Sequence, residues 1–415
     1  MKLRDILNRA LIVFGNYFFA ILVPFRHVLG YVGNSIALLG IILPGEKKPF
    51  SKKAKTLIAL IIILSIWGWV LSLSIATRLD NSLLTIFTYI AHWLLPFLMG
   101  YFLPSEHKIK AILSWILALL ILGLISLMPY MGFFHAPSLS SERLLKGFHS
   151  HIQFGSLLLI VSHLLLGAFF SVTGKRKYAY MAGFIISIVF IILTGSRGVW
   201  LATSISMGIA LIYYSIKKKK IKLLLFIGIS LLIVAVTMVS LIPGVKYRVN
   251  RIGQDDPSYI YRYHNAILAY KIIRDNPLTG IGPGQVPYVR SYYDIMEEEG
   301  LSLEIGYKTK KHVHCIFNQI AVEFGLPGLI LFLGIIITAF SILLGNIKRN
   351  DKGLDWGFSR GILWAFIGIL LGELLDCLLR GPAVAMETFW LIGIMAGSKY
   401  ENSNIIKDEC GSNYE

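Results

Sequence analysis

The sequence has 415 residues, of which 55% are hydrophobic and only 15% are charged, and its mean hydropathy is +0.67. A soluble chain of this length needs more polar surface to cover its core, so the composition excludes an ordinary soluble protein. The formal net charge is +17. It does not indicate nucleic acid as a partner, because most basic residues fall in short loops, where they contact anionic membrane lipids and orient the chain.

Apolar runs of membrane-spanning length recur from one end of the chain to the other. Because these runs are continuous and not alternating, they predict helices and not barrel strands. We place the spans at about 8–24, 27–44, 56–77, 84–103, 111–133, 151–172, 179–194, 199–215, 222–242, 326–345, 357–376 and 384–398. The sequence therefore predicts an all-α integral membrane protein with about twelve transmembrane helices, the first of them a retained helix and not a cleaved signal peptide.

Lysine and arginine are concentrated in alternate loops between these spans. The rich loops carry Lys47, Lys48, Lys52, Lys53 and Lys55; Lys108 and Lys110; Lys175, Arg176 and Lys177; Lys217 to Lys220 with Lys222; and Lys348, Arg349 and Lys352. The other short loops hold little beyond Arg26, Arg78, Arg143, Lys146 and Arg380. The positive-inside rule therefore predicts that both termini are cytoplasmic.

One connection, residues 243–313, is far longer than the others and lies on the predicted external side. A polar segment of this length inside a compact protein is expected to be folded and functional. Its sequence predicts a helix over 259–274, stopped by Asn276-Pro277, and a second helix from Val286 to Glu299. The predicted divisions are residues 1–242 with spans one to nine, 243–313 as the partly helical loop, 314–398 with spans ten to twelve, and 399–415 as a cytoplasmic tail.

Three arginines, at two places on the external side, are candidates for binding a phosphate. Arg197 stands in a Gly-Ser-Arg-Gly turn between spans seven and eight, and Arg262 and Arg274 stand on the first loop helix. A guanidinium fork matches phosphate oxygens. The alternatives are an interfacial arginine that reaches to lipid headgroups and solvated helix charges.

His312 and His314 precede span ten, and either could act as a general base while the other is structural. Histidines two residues apart cannot face the same way on a helix, which argues against a metal pair. The external side has no Asp-x-Asp pair, the three cysteines form no CxxC motif, and no Gly-rich Lys-Ser/Thr loop is present. The residues therefore do not support a metal-dependent glycosyltransferase site, a zinc or redox cysteine motif, or an ATP-driven pump.

Glu373, Asp376 and Arg380 lie at three- and four-residue spacing near the external end of span eleven. Ionisable residues at such depth are candidates for function. The spacing predicts either an intramembrane charge cluster that belongs to the site or a structural ion pair.

These motifs resemble those of the O-antigen ligase family, within a superfamily that includes O-antigen polymerases and bacterial O-oligosaccharyltransferases. The ligase pattern is His, then Asn, Ser or Gln, nine residues, Gly, two residues, and Gly, Thr or Tyr. His314, Gly325 and Gly328 fall at this spacing, and Cys315 departs from the second position. The stretch 195–198 looks like the family's arginine motif, and Arg262 resembles its second arginine.

The resemblance implies transfer of a polysaccharide from undecaprenyl diphosphate to a sugar hydroxyl of lipid A–core at the periplasmic face of the inner membrane, with no metal or nucleotide. It implies that Arg197 and Arg262 bind the diphosphate and that His314 is the catalytic base. His312, Arg274, Asp376 and Arg380 are reserve candidates. Direct attack would invert the anomeric centre.

Three other functions stay open at this point. An O-antigen polymerase shares the donor but often has two large external loops, whereas this sequence has one. A protein O-oligosaccharyltransferase differs in its acceptor, which the residues do not specify. A transporter would need ionisable residues near mid-membrane and broken helices in paired halves, and neither is evident in the sequence.

Overall fold

The computed structural model describes residues 3–44, 47–128, 150–218, 221–250, 257–301, 312–347 and 353–411. Within these ranges the regular structure is helical, and no strand occurs. The α-helices are α1 (Leu3–Leu22), α2 (His27–Ile42), α3 (Lys52–Ile75), α4 (Leu79–Tyr89), α5 (Leu95–Phe102), α6 (Ser105–Leu127), α7 (His151–Ser171), α8 (Arg176–Leu193), α9 (Arg197–Lys218), α10 (Ile221–Leu241), α11 (Pro243–Asn250), α12 (Pro257–Asp275), α13 (Arg290–Glu298), α14 (Ile316–Ile347), α15 (Gly353–Glu373) and α16 (Pro382–Gly411).

Among the described residues, nine helices are long and apolar enough to cross a membrane, with α4 and α5 joined through a π-helical segment, Ile90–Leu94, as one of them. Two shorter apolar helices, α2 and the 382–398 part of α16, also coincide with predicted spans. The prediction of an all-α integral membrane protein is confirmed. The number twelve stays a prediction, because it also counts the two short helices and α10.

The core of the bundle is built around α7, which is buried along nearly all of its length. It packs most extensively against α15, where small residues let the two backbones approach closely. A Cβ at Gly361 of α15 would lie 2.7 Å from the carbonyl oxygen of His163 and 2.8 Å from Cα of Leu164 on α7. The α7–α15 pair therefore depends on the absence of a side chain at this position.

Replacing Gly361 with alanine is expected to destabilise the protein by about 1–3 kcal/mol, because overpacked side chains force backbones apart. Thermal unfolding in detergent measures the change. The matched control is Gly208→Ala on α9, where an added Cβ meets no atom within 4 Å. Alanine favours a helix by up to about 1 kcal/mol over glycine, so the control variant should keep or slightly gain stability. Equal behaviour of the two variants would contradict the close-packing explanation.

Helix α14 differs from the prediction for span ten. It begins at Ile316, ten residues before the predicted start at 326, and it breaks at Gly325, which has φ 69° and ψ −175°. The residues between His314 and Gly325 were expected to lead into the span from the loop. The structure makes them a short buried helical arm before the break. Trp67 of α3 donates to the Phe324 carbonyl at 2.9 Å, and Val322 lies in one apolar cluster with Leu268 and Ile272 of α12.

The described parts of the long loop contain the two helical stretches that its sequence predicts, and also α11 at the start of the loop. The first stretch is α12, and the second is a 3₁₀ turn, Val286–Tyr288, followed by α13. The predicted tail continues α16 as far as Gly411. Arg143, Lys146, Lys219, Lys220, Lys348, Arg349 and Lys352, which entered the prediction of orientation, lie outside the described residues.

Candidate active site

Residues 257–301, 312–325 and 374–381 gather at one end of the bundle, which we call the loop face. The glycine-rich turn after α12 is bonded across the break in α14: Ile281 N–H donates to the Val322 carbonyl at 2.9 Å, and Leu326 N–H donates to the Pro277 carbonyl at 2.8 Å. A Cβ at Gly325 would lie 2.3 Å from the Leu278 oxygen. This glycine of the family pattern is therefore needed for the positive φ and for the close approach of the loop.

The histidine pair lies on irregular backbone just before α14. His314 has φ 58°, in the left-handed region, and Gln319 fixes the segment by accepting a hydrogen bond from Val313 N–H at 2.7 Å. The two imidazole rings are 5.0 Å apart between centroids. The expectation that these histidines face apart is wrong, because it assumed a helix and the helix begins only at Ile316.

Both imidazoles approach the carboxylate of Asp376. His314 Nδ1 lies 3.7 Å and His312 Nε2 lies 4.0 Å from Asp376 Oδ1, which also accepts a hydrogen bond from Cys377 N–H at 2.8 Å. Burial alone would raise the pKa of Asp376, but the neighbouring His314 and the Cys377 amide outweigh burial and hold the pKa below its ordinary value. Asp376 is therefore ionised at neutral pH and faces the histidines as an anion.

The two arginines of the predicted site adjoin the same turn. Arg197 is the first residue of α9, and at the next residue a Cβ on Gly198 would lie 3.5 Å from the Leu375 side chain. Arg262 Nε donates to the Leu375 carbonyl at 2.9 Å. Leu375 and Asp376 are consecutive residues of one turn. The start of α9 and Arg262 adjoin Leu375, whereas His312 and His314 approach Asp376. Arg274 lies elsewhere, exposed, with its Nε 2.9 Å from Asp275 Oδ1.

Glu373, Asp376 and Arg380 do not form the single charge cluster that their spacing suggested. Helix α15 ends at Glu373, so the helical spacing does not continue to the other two residues. Glu373 accepts hydrogen bonds from the amides of Leu378 at 3.0 Å and Leu379 at 2.5 Å, which fixes the turn. Asp376 faces the histidines. Each of the three side chains therefore has a different partner, and that of Arg380 lies on another helix.

Arg380 forms a buried ion pair with Glu323 of α14, at 3.0 Å between Nη2 and Oε1. Glu323 also accepts hydrogen bonds from the Gly284 amide at 2.9 Å and from the Tyr89 hydroxyl at 3.1 Å. A buried charge pair is tolerated when further hydrogen bonds satisfy it. Glu323 therefore connects the loop, the bundle and Arg380 after α15, a role that its sequence position does not indicate.

A cavity of about 490 Å³ opens beside the histidines. Its lining includes His312, His314, Asp376 and Arg380. The lining also includes hydroxyl, amide and ring groups, which belong to Asn81, Thr85, Thr88, Tyr89, His92, Ser150 and Gln153. Its volume is in the range of small-molecule sites, and its polar groups suit a hydroxyl-rich ligand.

Two further residues of this site have a feature in the sequence that indicates function. His92 and Glu323 are ionisable residues within apolar runs, which marks candidates for function. Gln319 and Tyr261, whose ring packs edge-on against His314 at 4.9 Å, carried none. Their roles depend on the turn before α14, and no sequence pattern specifies that turn.

Cys315, the departure from the family pattern, directly precedes the first residue of α14 and so occupies the N-cap position. Burial raises the pKa of its thiol, although the Asn318 and Phe317 amides that point at the sulfur oppose the shift. A side chain here caps the helix by accepting backbone N–H groups. Asparagine and serine, two of the residues in the family pattern, are strong caps, and cysteine is a weaker acceptor.

Replacing Cys315 with serine is expected to stabilise the protein by about 0.5–1 kcal/mol, because the hydroxyl is a better acceptor for the α14 amides. Thermal unfolding in detergent measures the gain, with Cys377→Ser as the control, since Cys377 precedes only a 3₁₀ turn. A loss of stability in Cys315→Ser would contradict the capping role.

Residues 182–333 match a protein-family model described as O-antigen ligase. The match runs from within α8 to within α14, so it includes Arg197, Arg262, His314 and Gly325 in order. No curated protein matches the chain. Over this stretch the chain is similar to the O-antigen ligase family, and the match supports the resemblance that its motifs carry.

Proposed function

We propose that this protein is an O-antigen ligase, a glycosyltransferase that moves a polysaccharide from undecaprenyl diphosphate to a sugar hydroxyl of lipid A–core. One observation carries the proposal. Arg262 and the start of α9 adjoin Leu375, and His314 adjoins Asp376, so the predicted diphosphate-binding and base groups meet at two consecutive residues. The family match supports it.

In the proposed reaction, the acceptor hydroxyl oxygen attacks the anomeric carbon of the donor while the bond from that carbon to the phosphate oxygen breaks. The electron pair leaves with undecaprenyl diphosphate, and Arg197 and Arg262 stabilise the added negative charge. The hydroxyl proton passes to His314. Because His314 Nδ1 faces the Asp376 carboxylate, Nε2 is the nitrogen that takes this proton, and Asp376 stabilises the imidazolium that forms. Attack opposite the leaving group inverts the anomeric centre.

The proposed location is the bacterial inner membrane, with both termini cytoplasmic and the loop face periplasmic. Basic side chains support this orientation. Lys53 Nζ donates to the Ser341 carbonyl at 2.7 Å and Lys48 Nζ to the Gly397 carbonyl at 3.4 Å. These carbonyls lie near the ends of α14 and of the 382–398 part of α16 that are away from the loop face. Positive charge is retained on the cytoplasmic side.

The test is a transfer assay with purified protein, undecaprenyl-diphosphate-linked O-antigen and lipid A–core, in EDTA and without nucleotide. Glycan should appear on lipid A–core. The matched inactive control is His314→Asn, for the reason given in the Discussion. Growth of glycan on the lipid-linked donor instead would identify a polymerase, and transfer to neither acceptor by well-folded protein would contradict the proposal.

A further inference from the structure

The cluster of His312, His314 and Asp376 has the donor groups of a transition-metal site. One nitrogen of each histidine and one carboxylate oxygen lie within 4.8 Å of one another. Two imidazoles with one carboxylate are typical of three-ligand zinc sites, and they differ from the all-oxygen sets that magnesium and calcium prefer. From these residues we propose that the protein binds one Zn²⁺ ion between His312, His314 and Asp376.

The geometry suits a four-coordinate ion with one open position. Zinc bonds of about 2.0–2.1 Å place tetrahedral ligand atoms about 3.4 Å apart. The two nitrogen-to-oxygen distances, 3.7 Å and 4.0 Å, are longer by well under 1 Å, which small side-chain rotations can close. The fourth position opens on the cavity that all three residues line. A water molecule or a substrate hydroxyl could occupy it.

The state of His314 provides a second, independent observation. Within the described part of the chain, its Nδ1 is buried and has no hydrogen-bond partner, although it is the nitrogen nearest the carboxylate. A buried polar atom without a partner is costly. A metal ion bound between Nδ1 and Asp376 would satisfy it.

The charged side chains around the cluster do not repel a cation. Arg380 lines the same cavity, but Glu323 balances its charge at 3.0 Å. Asp376 has 15% of its side chain exposed and His312 has 38% exposed, so an ion can reach the cluster from the cavity. Neutral imidazole and ionised carboxylate are the forms that bind metals.

The consequence for activity, which depends on the proposed function, is inhibition. An imidazole that holds Zn²⁺ on one nitrogen carries positive charge and is a weaker base at the other nitrogen. Zn²⁺ would also take the carboxylate that stabilises the imidazolium. Saturating Zn²⁺ should therefore slow transfer by at least about 100-fold, the lower end of what a general base contributes, and EDTA should restore the rate.

Binding is tested separately from activity, with full-length protein purified without a histidine tag and stripped with EDTA. Co²⁺ serves as the probe, because its visible spectrum reports nitrogen ligands, and Zn²⁺ should displace it. Wild type should bind one Co²⁺ per chain. His312→Ala and Asp376→Asn should each weaken binding about tenfold or more. The control, His107→Ala on α6, should bind as wild type does, and size-exclusion profiles confirm that every variant is folded.

The outcomes separate the two proposals. Absence of the Co²⁺ spectrum in wild type, or equal affinity in His312→Ala and His107→Ala, would overturn the metal site and leave the ligase proposal standing. Metal binding that depends on His312 and Asp376 supports the site, whatever its effect on transfer. If this binding does not slow transfer, the result counts against His314 as the base and not against the site.

Discussion

His314→Asn is expected to lower the rate of glycan transfer about 10²–10⁴-fold, the usual contribution of a general base. The carboxamide has no basic nitrogen to accept the proton of the acceptor hydroxyl. Asparagine is the informative replacement because His314 has φ 58°, and asparagine tolerates the left-handed region better than alanine does. Initial rates at saturating donor measure the effect. Alanine at this position would add backbone strain to the loss of the base.

Two controls make the result interpretable. His107→Asn removes an imidazole from α6, outside the candidate site, and should transfer glycan at the wild-type rate. Binding of the lipid-linked donor to His314→Asn should stay close to that of wild type, because Arg197 and Arg262 are unchanged. A transfer rate in His314→Asn within a few-fold of wild type would exclude His314 as the base and direct attention to His312.

Arg197→Ala is expected to lower the transfer rate about 10²–10³-fold, the range found when one donor to a developing anion is removed. The loss should be mainly in kcat, because the charge on the leaving diphosphate grows as the sugar–phosphate bond breaks. Arg197 also begins α9, so the positive end of the helix dipole acts in the same place.

Arg197→Lys tests whether stabilising the leaving diphosphate needs only a positive charge or also the planar fork of the guanidinium. Lysine keeps the positive charge but lacks the planar fork, so the variant should recover only part of the lost rate. Arg176→Ala at the exposed start of α8 is the matched control and should behave as wild type. Full activity in Arg197→Ala would contradict a role for Arg197 at the diphosphate and would support the alternative interpretation, an interfacial arginine near lipid headgroups.

The sequence predicts the helices of this protein well because each long apolar run has one stable solution in a membrane, a helix. It also predicts α12, since a periodic apolar face ends at Asn276-Pro277. It does not predict the arrangement of His312 and His314. That arrangement depends on an irregular turn held by Gln319, a contact between side chain and backbone that leaves no periodic pattern.

The arrangement of Glu373, Asp376 and Arg380, near the external end of span eleven, is not predicted for a related reason. Their spacing suggested one helix face, but α15 ends at Glu373 and the backbone turns before Asp376. A helix end inside a polar stretch is poorly defined by sequence. The grouping of Asp376 with the histidines instead depends on tertiary packing, which no local pattern reports.

Ionisable residues inside the bundle, which a transporter would need, are not evident in the sequence but do occur in the structure. The structure places His163 of α7 and Glu387 of α16, both ionisable, fully inside the bundle. A hydropathy average does not reveal a single ionisable residue when its neighbours in the sequence are apolar. Their positions differ from that of the candidate site, whose residues lie at the loop face.

The hydrogen bonds across the break in α14 have a mechanical consequence. Arg262 stands on α12, and His314 stands just before the first arm of α14. The turn after α12 is bonded to that arm through Ile281 and Val322, and to the span beyond the break through Pro277 and Leu326. The proposed diphosphate-binding arginine and the proposed base therefore stand on two segments that are hydrogen-bonded to each other. These bonds limit how far α12 and the segment that follows His314 can move apart.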